Sequence, residues 1–210
     1  MRPLGVAALL VAGCATVAPD PATARACYAN LVDWIQTHDL ARSQPPEVDY
    51  RQLRRGSALV QTAATERALA ELDQALVEAN AASRADEAQR IALELLDKDL
   101  ADVMAHLTRA RALHDEGHGA RAGFHEAMAR GLVSSLFDPG DGRSVARPLH
   151  VFGRREEQTA AAVLGLTPAG APAPSERGGV ERLACRARGG EVVTLYFAVD
   201  APAAAAVVQR

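Results

Sequence analysis

Apolar positions recur at helical spacing through the first two thirds of the chain. Tyr28, Leu31, Val32 and Ile35 fall at i, i+3, i+4 and i+7, which predicts a helix from about Ala22 to Thr37 burying one stripe. Ser43 to Pro46 breaks it, and a short segment around Val48 to Arg55 follows. Thr65 is placed to cap a helix whose Leu69, Leu72 and Leu76 make the next stripe. Ser83 to Asp86 opens another, with Ile91, Ala92 and Leu95 inward. Asp99 is placed to cap a further helix, from Leu100 to about Glu116, with Val103, Leu107 and Ala110 on one face. Gly117 and Gly119 bracket a tight break before a helix that carries Phe124, Ala127, Met128 and Leu132 and runs to about Phe137. So short a turn makes the last two helices an antiparallel hairpin.

The pattern changes at Asp138-Pro139-Gly140-Asp141-Gly142, a turn cluster dense enough to end any helix. Leu149 to Phe152 reads as a short strand and Arg155 to Leu164 as a short helix. Val180 to Ala187 and Val192 to Val199 read as two strands joined through Gly189-Gly190, with Val193, Leu195 and Phe197 alternating inward. Thr167 to Gly179, with three prolines, reads as a loop. Helices first and a small sheet second define an α+β fold, antiparallel at its C-terminal hairpin.

The length of 210 residues, 49% of them hydrophobic, suffices for one compact domain, which we place at 22–202 with a C-terminal tail at 203–210. A formal charge of −3 leaves no basic surface of the kind that nucleic acid requires, and no later apolar run is long enough to span a bilayer. The first residues have the order of a signal peptide: Arg2, an apolar run from Leu4 to Ala12, then small residues closing on a cysteine. Val11-Ala12-Gly13-Cys14 resembles a bacterial lipobox, which implies a thioether-linked diacylglycerol on Cys14 and cleavage before it. Residues 1–13 would then be the signal and 14–21 an Ala- and Pro-containing tether. By resemblance to lipoprotein sorting, Ala15 after the cysteine favours the outer membrane, facing the periplasm.

Candidate chemistry is sparse. His114-Asp115-Glu116-Gly117-His118 crowds four potential ligands, but Gly117 breaks the helix that would align the imidazoles, so a solvated turn is the preferred reading and no metal is expected. His106 and His125 sit on the two arms of the hairpin and are expected to be neighbours or near neighbours across it, serving packing and hydrogen bonding, with the preferred reading two separate histidines, each satisfied by a backbone carbonyl. Counted from His118, they are offset by about five residues, or about 7.5 Å of rise, which argues against ring contact unless the helices stagger. Gly140 to Ser144, with Asp141, lacks the further acidic ligands of an EF-hand and the lysine of a P-loop. Ser134 and Ser135 lie in no nucleophile elbow. Cys27 and Cys185 could pair in an oxidising compartment or remain buried thiols. No cofactor motif is present.

The string also resembles a bacterial family known only as domain of unknown function 4919. The resemblance is carried by Tyr28 with Leu31-Val32, the run Val48 to Arg54, His106, Phe124-His125, Gly131-Leu132, Ser135, Gly140 to Ser144, Glu156-Glu157, Leu164-Gly165-Leu166 and Leu195 to Asp200. It covers about Cys27 to Pro202 and implies an exported protein with no assigned activity. The helical hairpin is similar to a single tetratricopeptide-type unit. Two functions fit these readings. The first is a non-enzymatic envelope lipoprotein that binds a protein or peptide, with the helices supplying a groove and the sheet closing one end. The second is a small hydrolase or metal-dependent enzyme using His106, His125 and Asp141, with Tyr196 as a further candidate.

Overall fold

The computed structural model describes residues 20–38, 40 and 47–200. Six helices come first: α1 (Pro21–Thr37), α2 (Tyr50–Val60), α3 (Ala63–Ala81), α4 (Ala85–Lys98), α5 (Val103–Asp115) and α6 (Gly119–Leu136). β1 (Leu149–Val151), α7 (Arg154–Val163), β2 (Leu166–Pro168), β3 (Ala173–Pro174), β4 (Val180–Ala187) and β5 (Val192–Val199) complete the α+β order that the pattern predicts. Cys14, the signal segment and the 203–210 tail lie outside the described residues. Among the described residues no helix is long and apolar enough to cross a membrane.

Local hydrogen bonds decide where the helices begin, and three expectations move. The segment around Val48 to Arg55 is the first part of α2, started by Asp49, whose carboxylate accepts from the Arg51 and Gln52 amides. Too few apolar residues mark it for periodicity to detect a helix. Thr62, rather than Thr65, caps α3 by accepting from the Thr65 amide. Asp102, rather than Asp99, caps α5 through the Ala105 amide. Asp99 ends α4 instead and is drawn to partners on distant elements.

Two apolar clusters hold the helices. Leu69, Leu76, Ile91, Leu95 and Ala105 join α3, α4 and α5. Leu31, Leu53, Val103, Phe124, Met128 and Leu132 join α1, α2, α5 and α6. Two glycines permit the second assembly. A Cβ at Gly56 would collide with the Ala24 carbonyl of α1, and one at Gly131 would collide with the Tyr50 ring. These close approaches fix α2 against α1 and α6 and so set where Arg54 and Ser57 point.

The sheet order is β1-β5-β4-β2, with β3 pairing the other end of β4. β4 and β5 form the expected antiparallel hairpin, Leu183 opposite Leu195 and Cys185 opposite Val193, while β1 runs parallel to β5. The stretch read as a loop contributes β2 and β3, both antiparallel to β4. Its prolines disguise it, since short edge strands tolerate residues that lack an amide hydrogen. Leu183, Cys185, Leu195 and Phe197 pack under Ala160 and Ala161 of α7 and Leu136 of α6, forming the third cluster.

Candidate functional site

Two arginines, Arg54 buried and Arg155 partly buried, fasten the helices to the sheet region, and beside them lies a cavity. Arg54 of α2 is 3% exposed. Its Nε and Nη2 donate to both carboxylate oxygens of Glu156 on α7, at 2.8 and 2.7 Å. Nη1 donates to the Ser135 carbonyl at the end of α6, and Nη2 also donates to the His150 carbonyl of β1. Glu156 in turn accepts from the Phe152 amide at 2.8 Å. A bidentate fork matched to a carboxylate is a task for arginine and not for lysine.

Arg155, the residue before Glu156 on α7, is enclosed by three carboxylates. It donates to Asp73 of α3 from Nε at 2.7 Å, to Asp99 from Nη1 at 2.6 Å and to Asp102 from Nη2 at 2.7 Å. Asp99 also accepts from the Ser57 hydroxyl at 2.6 Å and from the Ala101 amide. Gln61 donates to the same hydroxyl. Burial works against the Arg155 charge, but the Asp73 hydrogen bond and the fields of Asp99, Asp73 and Asp102 outweigh it and raise its pKa. With three carboxylates on one guanidinium, negative charge is in excess. Burial first, then the charges of Asp73 and Asp99, pushes the Asp102 carboxyl up, opposed by the Ala105 amide hydrogen bond and the Arg155 charge.

Above these pairs lies a cavity of about 320 Å³, open on one side, bounded by α2, α3, the link between α4 and α5, and the start of α7. Its size falls at the small end of ligand pockets, which run to roughly 300–1,000 Å³. Ala58, Ala63, Ala70 and Ala101 make low walls, with Phe152 at the end nearest the sheet and Gln61 and Gln158 along the sides. Short side chains let a backbone lie close, and the amides offer donors and acceptors to it.

The two candidate histidines meet, against the expectation that each would stand alone. Nδ1 of His106 lies 2.9 Å from Nδ1 of His125. His106 is nine residues before the end of α5 and His125 six after the start of α6. Measured from the helix ends, the offset is three residues, about 4.5 Å of rise, which two imidazoles can bridge. His106 Nε2 is 3.0 Å from the Leu100 carbonyl and must donate to it. Its Nδ1 is therefore the acceptor, and His125 Nδ1–H is the donor. Burial pulls the His106 pKa down to about 4, and burial together with the His106, Arg109 and Arg121 charges pulls that of His125 down to about 3. The pair is neutral near neutral pH and cannot act there as a general acid.

Asp141 does not join them. Its carboxylate accepts from the Arg143 amide and pairs with Arg147 at 3.3 Å in the loop after α6. From His125 to the end of α6 alone is about 16 Å of helical rise. His114 is exposed and paired with Glu126, in keeping with a solvated turn. Among the described residues no group of three or more His, Cys, Asp or Glu is arranged to hold a metal ion. Cys27 and Cys185 are unbonded: the first packs with the α1, α2, α5 and α6 cluster and the second is buried under α7, so the pairing considered above is not formed.

No family model, curated protein or solved structure matches the chain. The residues that build the groove were largely invisible to sequence reasoning. Arg155, Asp73, Asp102 and Ser57 lie in no motif, and Asp99 had only a cap assigned to it. The one available signal was the run Arg154-Arg155-Glu156-Glu157 directly after a strand, where alternate faces of a short helix must bury charge.

Proposed function

We propose that this protein is a lipid-anchored component of the bacterial cell envelope that binds an extended peptide segment in the groove between α2, α3 and α7, without catalysing a reaction. The observation that carries this reading is the cavity itself: helices form its walls, the β1–α7 corner closes one end, and its charged floor is held in place by Arg54 and Arg155. A pre-organised floor lowers the ordering cost of binding. Kinship with the domain of unknown function 4919 family belongs to the same proposal. In support, residues that carry the resemblance lie against one another: Arg54 with Glu156 and Ser135, and Tyr50 with Gly131.

A hydrolase or metal-dependent enzyme is the second reading, and the direct His106–His125 contact favours it. Against it stand the separate position of Asp141 and the burial of both rings, which are 0% and 9% exposed. Panning a random peptide phage library on residues 15–210 tests the binding reading. The expected result is enrichment of peptides whose binding is lost in Ala70→Trp, which fills the groove from an exposed position on α3. Absence of enrichment, or peptides that bind this variant as well as the wild type, would overturn it.

The anchor makes a separate expectation. Cys14→Ala should move the protein from the membrane fraction to a soluble or uncleaved pool, since a single residue would receive the lipid. Wild-type fractionation and migration of that variant would show that the N-terminal segment is not a lipoprotein signal.

A further inference from the structure

We propose that Glu157 is a pH-sensitive seat for the groove: its protonated carboxyl lets α7 rest on the sheet, and its ionisation opposite Glu181 loosens this wall of the cavity. The inference rests on the groove being the binding site and concerns its regulation. α7 has two working faces. Arg154, Arg155, Gln158 and Thr159 line the groove, while Glu157, Ala160 and Ala161 are buried at i, i+3 and i+4 toward the sheet. Any change in how the buried face sits must therefore move groove-lining side chains.

Glu157 is an unusual residue to bury there. It is 2% exposed, and among the described residues its Oε2 has no hydrogen-bond partner. Arg54 and Arg155 use Glu156 and three aspartates as acceptors, which leaves this neighbouring carboxyl without a guanidinium of its own. Glu181 lies on β4 two residues before Leu183 and four before Cys185, on the strand face that α7 covers. The charged groups around Glu157 are thus Glu181 from β4, which opposes ionisation, and Arg154 from α7, which favours it. An ionised carboxylate buried without a donor is costly, so the seated helix holds the proton.

Burial, then the Glu181 charge, raises the Glu157 pKa from 4.5 to about 7. A carboxyl raised in the folded state contributes stability that is fully present below its unfolded value and is lost as pH rises through the folded one. Loosening is therefore expected between pH 4.5 and about 7 and complete above it. The carboxyl of Asp102 titrates in a neighbouring range on the groove side of α7, so the test must separate the two.

Hydrogen–deuterium exchange of the α7 amides on the full chain, at about pH 5.5 and about pH 8.5 and corrected for intrinsic rates, does so. Protection of α7 is expected to fall about thirtyfold at the higher pH in the wild type, the linkage that values of 4.5 and about 7 leave between these two pH values. Glu157→Gln cannot ionise there and should lose most of this pH dependence, what remains belonging to the Asp102 carboxyl on Arg155. Glu181→Gln removes the opposing charge and lowers the folded value, so the loss between the two pH values should be smaller than in the wild type, which keeps the inference testable if the first variant fails to fold. Equal corrected protection in the wild type, or a pH-dependent loss that is undiminished in either Glu157→Gln or Glu181→Gln, would overturn it. Exchange reads α7 without any peptide present, so failure of the groove reading and failure of this one are distinguishable.

Discussion

Arg155→Ala is expected to cost about 3–5 kcal/mol of folding stability in urea unfolding, the range for removing one partner of a buried ion cluster. Asp99 and Asp102 are 5% and 8% exposed, and Asp73 faces the same guanidinium. Without it, three carboxylates remain together with no cation and few remaining donors. The loss should be larger at about pH 8 than at about pH 5, because acid protonates the orphaned carboxyls and relieves their repulsion. Arg155→Lys should recover little, since an ammonium donates from one point and cannot reach three acceptors on three sides. A loss below about 1 kcal/mol for Arg155→Ala would mean that the cluster behaves as a solvated surface network.

Leu195→Asp should abolish cooperative folding. Leu195 is 2% exposed, faces Leu183 across the hairpin and packs with Phe197 beneath α7. Losing its apolar contacts is worth about 2–5 kcal/mol. Placing an unpaired carboxylate in the same space adds several more by the usual burial penalty. The combined loss is comparable with the whole stability of a domain, about 5–15 kcal/mol. Thr194→Asp, one residue away on the opposite face and partly exposed, is the internal control and should be tolerated. Equal effects of the two substitutions on the thermal midpoint would show that the register is slipped.

Most of the elements were legible because their signals are local. α1 is found within one residue of its predicted start, and β4 and β5 occupy the ranges that alternation around Gly189-Gly190 predicts. Two of the errors share one cause, which is polar residues with distant partners. Asp99 reads as a cap because an aspartate before an apolar run usually is one, yet its oxygens serve Ser57 and Arg155. α2 was missed because its Arg54 looks like a solvated residue, although three elements satisfy it.

The histidines show the limit from the other side. Spacing placed His106 and His125 on facing helices, but whether their rings touch depends on where the helices end and how they stagger, which sequence spacing does not carry. Hydrophobic periodicity by itself determined the order of the elements, the hairpin of α5 and α6, and which face of β5 is buried, because burial of an apolar stripe is rewarded wherever its partner comes from. Only the tertiary structure decided which charges are interior, that Arg155 meets three aspartates, and that Glu157 Oε2 has no hydrogen-bond partner among the described residues. A hydrogen bond needs a specific donor at a specific place, and here those donors and acceptors lie 53 to 102 residues apart in the chain.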